Sequence, residues 1–295
     1  MTSGLDHGTP SPGTASPAVV PHPITNGADP VVLTATVPGS VADVWPALAT
    51  APGLESWFAP TRLDGRVGGR VDYELGGAIG TAGAIIQRWE PEVGWASITN
   101  GAASVRHEWD LTAGPGADET VVRLSVSGFE PGDTDARLTA ARSWRVFFTN
   151  LRLHRAGFGG RHAVAGLAWL ELNGSRADVW TSLCEAMELP PEAEPGEEVD
   201  SGAEAPTLVG TVVETIDDPD LRLYALELTA PAVGTGFVAA LDTGGDRVAA
   251  GVGLYLYTEP TGADAAEPVG HRWQTWLRRR FIPVDERIDD DEPIT

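Results

Sequence analysis

The sequence contains no lysine, and all 20 of its basic residues are arginine. Without a lysine amine the chain cannot form a Schiff base or anchor a pyridoxal cofactor, which excludes that class of enzymes. Its single cysteine, Cys184, excludes an intramolecular disulfide and a cluster of thiolate ligands for a metal. No apolar run approaches membrane-spanning length and the first basic residue is Arg62, so we expect a cytoplasmic protein without a membrane span.

Positive charge is also scarce, and the net charge of the chain is −22. A protein this acidic repels a phosphate backbone, so we expect no nucleic-acid partner. The densest basic patch is Arg278, Arg279 and Arg280, near the end of a predicted helix. Arginines there complement the negative end of the helix dipole, an interpretation that we favour over binding to a membrane surface.

The most informative feature present in the sequence is an internal repeat. Residues 40–45 read SVADVW and residues 175–180 read SRADVW. In each copy the serine can cap a helix, with an aspartate three residues on and an inward-facing aromatic residue after it. A chain of 295 residues with ten tryptophans is large enough for two cores. We therefore predict one fold that occurs twice in tandem.

Composition divides the chain further. Residues 1–29 contain too few large apolar groups to offset the entropy of ordering, which predicts disorder. We predict a complete domain at 30–158, a degenerate second copy at 163–283 and an acidic tail at 284–295. Within the second copy, the Glu-rich and Pro-rich segment 190–206 is predicted to be a mobile loop.

Hydrophobic periodicity assigns the elements of the first copy. Alternation from Val31 predicts a strand, and helical spacing after Ser40 predicts a helix that Pro46 keeps short or kinked. A second short helix before Pro60 is followed by antiparallel strands near 66–75, 81–90, 94–100, 104–112 and 119–128. A long helix is predicted at 135–156. The second copy is predicted to have strands at 165–172, 207–216 and 221–229, a hairpin at 234–257 and a closing helix around Trp273.

Several short motifs occur in an order typical of one superfamily. They are Val37-Pro38, Ala42-Asp43-Val44-Trp45, Leu54, Trp57-Phe58-Ala59-Pro60, Gly68-Gly69, Trp89-Glu90-Pro91, the strand 107–111, Ser127-Gly128-Phe129 and Trp144. In these residues the first copy resembles the START-like (SRPBCC) superfamily, in particular its branch of homologues of the heat-shock-protein ATPase activator. The resemblance implies a helix-grip fold of class α+β, in which an antiparallel sheet wraps around a long C-terminal helix.

The resemblance also implies a cavity between the sheet and the helix of the first domain, suited to a lipid, a polyketide or another apolar molecule. It implies no shared reaction, because function belongs to sites rather than to folds. The second copy lacks the Trp-Phe-Ala-Pro and Ser-Gly-Phe motifs, so we make no prediction of a cavity there. The side chains predicted to line the cavity of the first domain are His107, Trp109, Tyr73, Trp57, Phe58, Trp95, Arg145 and Phe148.

Two of these candidates could carry chemistry. His107 shares one strand face with Trp109 and Leu111, which points it inward. It could exchange a proton with a ligand, or it could be a core histidine bonded to a hydroxyl or to the backbone. Arg145 could meet a carboxylate or an enol oxygen at the cavity mouth, or it could keep its head group in water.

The remaining motifs predict no chemistry. The glycines at 76–83 have neither dinucleotide-binding nor Walker spacing and indicate a hairpin turn. His154 and His162 lack a third ligand, so we predict no metal site. No motif assigns a cofactor or a catalytic residue, and we predict neither. Cys184 follows Trp180 by four residues, which favours a buried position on the same helix face.

Three functions are consistent with these observations. The first is non-catalytic binding of an apolar small molecule in the cavity of the first domain. The second is a tandem polyketide aromatase or cyclase, with His107 as its acid or base. The third is a ligand-free module that binds a protein partner or a chaperone, in which Trp57, Trp89, Trp95 and Trp109 would fill the interior of the first domain.

Overall fold

A computed structural model describes residues 20–21, 30–77, 80–99, 104–260 and 268–284. They form an α+β structure with two antiparallel sheets and five helices among the described residues, which confirms the predicted fold class. No helix in these ranges is long and apolar enough to span a membrane. The predicted tail from residue 285 onward lies outside the described residues, and so does the predicted N-terminal segment 1–29 apart from 20–21.

The first sheet has eight strands in the order β1-β2-β8-β7-β6-β5-β4-β3, and every neighbouring pair is antiparallel. The strands are β1 Val20–Pro21, β2 Val31–Pro38, β3 Thr61–Leu63, β4 Arg70–Gly76, β5 Gly80–Glu90, β6 Gly94–Thr99, β7 Arg106–Ala113 and β8 Glu119–Ser127. The inward face of the sheet carries the alternate apolar residues that the periodicity predicts.

Helices α1 (Val41–Ala49) and α2 (Ala51–Glu55) follow the first long strand. The Oγ of Ser40 accepts a hydrogen bond from the backbone N–H of Asp43 at 3.3 Å, which caps α1 as predicted. Pro46 lies inside α1, and the helix ends after nine residues at Thr50, whose hydroxyl donates to the carbonyl of Pro46 at 2.7 Å. The prediction of a short first helix is therefore confirmed.

The second sheet has six strands in the order β10-β11-β12-β13-β14-β9, again antiparallel throughout. The strands are β9 Val164–Asn173, β10 Glu198–Asp200, β11 Val209–Asp218, β12 Leu221–Ala230, β13 Gly234–Gly244 and β14 Arg247–Leu256. Helices α4 (Arg176–Met187) and α5 (Val269–Arg280) cover one face of this sheet. Ser175 caps α4 through Asp178 at 3.2 Å, the same contact that caps α1.

The long helix α3 (Thr134–Gly157) lies between the two sheets. One side of it packs on the first sheet, and the other side packs on the face of the second sheet opposite α4 and α5. Strand β13 shows the division: Phe237 and Ala239 belong to the core around α3, whereas Val238 belongs to the core under α4. We call the first sheet with α1, α2 and α3 the first unit, and the second sheet with α4 and α5 the second unit. The second sheet is buried on both faces, so the two units share one continuous core.

Polar contacts reinforce this shared core. The buried hydroxyl of Tyr255 donates to the carbonyl of Phe58 at 2.7 Å, and that of Tyr257 donates to the carbonyl of Ser56 at 2.8 Å. On α3, Arg152 pairs with Glu214 of β11 at 2.8 Å. Because the partners of these groups lie in the other unit, separating the units would leave several of them buried without a partner or newly exposed.

Two predictions about local structure were wrong, and one short strand was not predicted. The segment 190–206 is not a structureless loop, because Glu198–Asp200 forms a strand that pairs with β11 and the side chains of Ala193 and Val199 are buried. Val20–Pro21 forms a strand beside β2 inside the segment predicted to be disordered. Thr61–Leu63 forms an edge strand that the periodicity did not identify, because three residues are too few to establish a pattern.

Candidate functional site

A cavity of about 720 Å³ lies between the two units, alongside the N-terminal half of α3. Small side chains on one stripe of the helix, at Ala136, Ala140 and Ser143, leave this space open. One turn further on, Phe147 occupies the same stripe and closes the cavity. The opposite wall is the face of the second sheet formed by β9, β13 and β14.

The inner wall of the cavity is aromatic and apolar. The ring of Phe58 stacks on that of Trp144 with centroids 4.9 Å apart and meets Phe147 edge-on at 4.7 Å. Trp169 and Leu241 complete the wall from the second sheet. This surface can contact an apolar molecule of substantial size through dispersion and desolvation.

The rim of the cavity is polar. The hydroxyl of Thr243 donates to Glu171 Oε1 at 2.8 Å, and Arg247 Nη1 lies 3.5 Å from Glu171 Oε2. On the helix side, Asp133 accepts from the backbone N–H of Ala136 at 2.9 Å and so caps α3. These contacts fix the side chains at the entrance in defined positions.

His107 of β7 lies on the wall of this cavity, facing inward as predicted. Its ring meets that of Trp144 edge-on at 5.6 Å. Burial disfavours the charged imidazolium and lowers the pKa of His107 to about 4. At neutral pH the cavity therefore presents a neutral imidazole, which can donate one hydrogen bond and accept another.

Protonation of His107 is expected to destabilise the fold in acid. The pKa of a histidine in the unfolded chain is about 6.5, so the unfolded state binds the proton more readily than the folded state. The stability that depends on neutral His107 is complete above about pH 6.5 and falls as the pH drops to about 4. Denaturant unfolding of the wild type and of His107→Gln should show their difference in free energy falling by about 2–3 kcal/mol over that window. A difference independent of pH would contradict this assignment.

A smaller chamber of about 90 Å³ lies next to the cavity, between the first sheet and α3. Phe58, Leu75, His107 and Trp144 line both spaces. Tyr73 and Trp109, two further predicted candidates, line the smaller chamber but not the larger cavity.

The rest of the first unit's interior is filled by its own aromatic side chains. Trp57, Trp95 and Phe148 are fully buried and line neither space. The indole N–H of Trp57 donates to the carbonyl of Ala47 at 2.8 Å, and that of Trp95 donates to the carbonyl of Leu48 at 3.1 Å. The cavity that the resemblance implies inside the first domain is present only as the chamber of about 90 Å³, because these side chains occupy the rest of the space; the larger cavity lies between α3 and the second sheet.

Arg145 does not reach either cavity. Its guanidinium pairs with Asp218 at the end of β11, so it joins the two units instead of facing a ligand. Neighbouring Arg142 does the same, donating to Asp220 and to the carbonyl of Asp242, both at 2.7 Å. The sequence places Arg145 beside the apolar stripe of α3 but carries no local sign of a carboxylate partner 73 residues away.

Other titratable side chains have structural partners. His154 Nδ1 is 2.8 Å from the hydroxyl of Tyr257 in the shared core. Cys184 is a buried residue of α4, and burial raises the pKa of its thiol to about 12, so it stays protonated. Within the described ranges, no group of three or more His, Cys, Asp or Glu side chains is arranged to hold a metal ion.

The second wall of the site, formed by Trp169, Leu241 and Ala249, was not predicted from the sequence. A signal for it was present. Residues 236–241 and 252–257 are nearly continuous apolar runs, a pattern typical of strands buried on both faces. Helices α4 and α5 can cover only one face, so the runs indicate that the other face packs on a further layer.

No family model and no curated protein matches this sequence. Among solved structures, the chain is similar to DynU16, a putative protein in the dynemicin biosynthetic locus, at 17% identity and a TM-score of 0.42, over 85% of this chain and 94% of that one. It is also similar to an Aha1 dimer from Colwellia psychrerythraea, at 18% identity and a TM-score of 0.38, over 44% and 98% of the two chains. Protein MLL2253 from Mesorhizobium loti shows 23% identity and a TM-score of 0.38, over 42% and 94%. These similarities concern the fold alone.

Proposed function

We propose that this protein binds an apolar small molecule in the cavity between its two units. The observation that carries the proposal is the combination of a volume of about 720 Å³ with an aromatic inner wall and a polar rim. Cavities that bind small molecules commonly measure about 300–1,000 Å³ and combine an apolar lining with a few oriented polar groups. The shared core holds both walls in place, so the site is preformed.

Two alternative functions have some support. A polyketide aromatase or cyclase would use His107, which lies on the cavity wall, as an acid or base. A pKa near 4 makes that imidazole a weak base at neutral pH, which favours binding without catalysis. A ligand-free module that binds a protein partner would fit the aromatic filling of the first unit, but that reading leaves the larger cavity without a role.

The proposal is tested by filling the cavity. Ala140 lines it from the helix, and Ala140→Phe would place a ring in the open space without displacing a core side chain. We expect the affinity for the neutral apolar dye N-phenyl-1-naphthylamine, followed by its fluorescence, to fall at least about tenfold. Ala177→Phe, at an exposed position on α4, is the matched control and should bind as the wild type does.

Thermal unfolding of both variants checks that the fold is kept. The proposal is wrong if the wild type shows no saturable binding of any apolar probe. It is equally wrong if Ala140→Phe binds the dye as well as the control does.

A further inference from the structure

Five strand residues with polar side chains line the chamber that adjoins the main cavity. Tyr73 lies on β4, Ser97 and Thr99 on β6, and His107 and Trp109 on β7. Strands β6 and β7 are adjacent, with His107 directly opposite Ser97 in the ladder, and β5 separates β6 from β4. The rest of the lining consists mainly of apolar or glycine residues.

The indole N–H of Trp109 is the most informative of these groups. Trp109 is 1% exposed, and its Nε1 has no hydrogen-bond partner among the residues that the structure describes. The two neighbouring indoles, of Trp57 and Trp95, both donate to backbone carbonyls of α1. A buried donor without a partner has a free-energy cost, and native proteins keep few of them. Trp109 therefore carries a donor that the described residues leave unpaired, and its side chain lines the chamber.

The chemistry of the chamber selects the kind of group that it would accept. An indole N–H can only donate, so the ligand must present an acceptor there. Burial raises the pKa of Tyr73, so its hydroxyl stays protonated and can donate as well. No arginine lines the chamber, and its one titratable base, His107, is neutral at physiological pH. An anion would therefore be desolvated there without a counter-charge, which disfavours a carboxylate and favours an uncharged oxygen.

We propose that the chamber binds a neutral carbonyl oxygen of the ligand, with Trp109 and Tyr73 as its donors, while the apolar body of the ligand occupies the main cavity. This inference rests on the proposed function, because Phe58, Leu75, His107 and Trp144 line both the chamber and that cavity. The ligand class that it specifies is an apolar molecule with a ketone, aldehyde, ester or amide group at one end.

The test compares two probes of nearly the same shape, 2-acetylnaphthalene and 2-isopropylnaphthalene, by calorimetry on the full chain. Trp109→Phe removes the donor and keeps an aromatic ring. The ratio of ketone affinity to hydrocarbon affinity should fall about tenfold in this variant, the effect of one buried hydrogen bond. Trp95→Phe is the matched control, because it removes an indole that does not line the chamber, and it should leave the ratio unchanged.

Three further measurements keep the inference falsifiable if Trp109→Phe does not fold. Tyr73→Phe removes only a hydroxyl and should also lower the ratio. The infrared stretch of a ¹³C-labelled ketone carbonyl should lie at lower frequency in the wild-type complex than in hexane, as hydrogen bonding requires. A third probe, 2-naphthoate, should bind more weakly than the ketone.

The outcomes separate the two proposals. If both naphthalenes bind but the ratio is the same in the wild type, Trp109→Phe and Tyr73→Phe, the chamber does not select a carbonyl and this inference is overturned while the proposed function stands. Tighter binding of 2-naphthoate than of the ketone also overturns it. If neither naphthalene binds to the wild type, both proposals fail.

Discussion

A chain that contains only residues 30–160 is expected not to fold into a stable unit, although it includes the whole predicted first domain. Helix α3 would lose the second sheet, which packs on it through Phe237, Ala239 and neighbouring residues. The exposed side of the helix would include Phe147, which is only 8% exposed in the intact chain. Whole domains are stable by only about 5–15 kcal/mol. We therefore expect the loss of the apolar surface that α3 buries against the second sheet to remove cooperative folding.

The polar contacts across the interface add to this effect. The truncated unit would lose the donors that satisfy the carbonyls of Ser56 and Phe58. It would also leave Arg152, a side chain 8% exposed, without Glu214. Removing the second unit exposes the two carbonyls and the Arg152 side chain to water, so losing their partners destabilises the fragment less than it would in a sealed core. The stabilisation that these hydrogen bonds and this ion pair give the intact chain is nevertheless lost.

Near-ultraviolet circular dichroism and denaturant titration measure the outcome. We expect the fragment to show no sharp unfolding transition and the full chain to show one. Adding a fragment of residues 161–284 is the control, since it supplies the second sheet and should restore the transition. Cooperative unfolding of the fragment alone, at a denaturant concentration close to that of the full chain, would contradict the shared core.

Replacing Trp57 with alanine is expected to lower the free energy of unfolding by about 3–5 kcal/mol. Its indole is fully buried and contacts Trp109 and Phe148 edge-on, with ring centroids 6.0 and 6.5 Å away. The substitution removes this large apolar surface and leaves a cavity that the rigid sheet cannot close. It also deprives the carbonyl of Ala47 of its indole donor.

The matched control is Trp276→Ala on α5, where the indole is half-buried and packs edge-on against Trp273. There we expect a loss of about 1–2 kcal/mol. Because Trp57 lines neither cavity, the folded Trp57→Ala protein should bind an apolar probe nearly as the wild type does at low temperature. Equal destabilisation of the two variants would show that the first unit's interior is not packed as described.

Much of the local structure could be predicted from the sequence because it depends on neighbours along the chain. Alternating apolar residues from Val31 specify β2, and the serine and aspartate at 40 and 43 specify the start of α1. Helical spacing predicted α3 at 135–156, and the structure places it at Thr134–Gly157. The duplication of an ancestral unit rests on the repeated SVADVW and SRADVW motifs and stays a prediction.

The site could be predicted only in part. The inward direction of His107 follows from strand alternation alone, and Phe58 was selected with it; both line the main cavity. Arg145 was placed wrongly, because a long flexible side chain goes to whichever carboxylate the fold brings near it, here Asp218. Trp57 and Trp95 were assigned to a cavity wall, yet they fill the interior, because the sequence shows that a side chain faces inward but not how much space is left around it.

The sequence by itself determined most of the longer elements, the serine caps of α1 and α4, and the exclusion of lysine and disulfide chemistry. Only the tertiary structure decided where the empty volume lies, because that volume is bounded by β9, β13 and β14 on one side and by α3 on the other. Strands β13 and β14 are far from α3 in the chain, and they meet it only when both faces of the second sheet are buried. A cavity is what remains after such distant surfaces have packed, so no local pattern of residues can encode it.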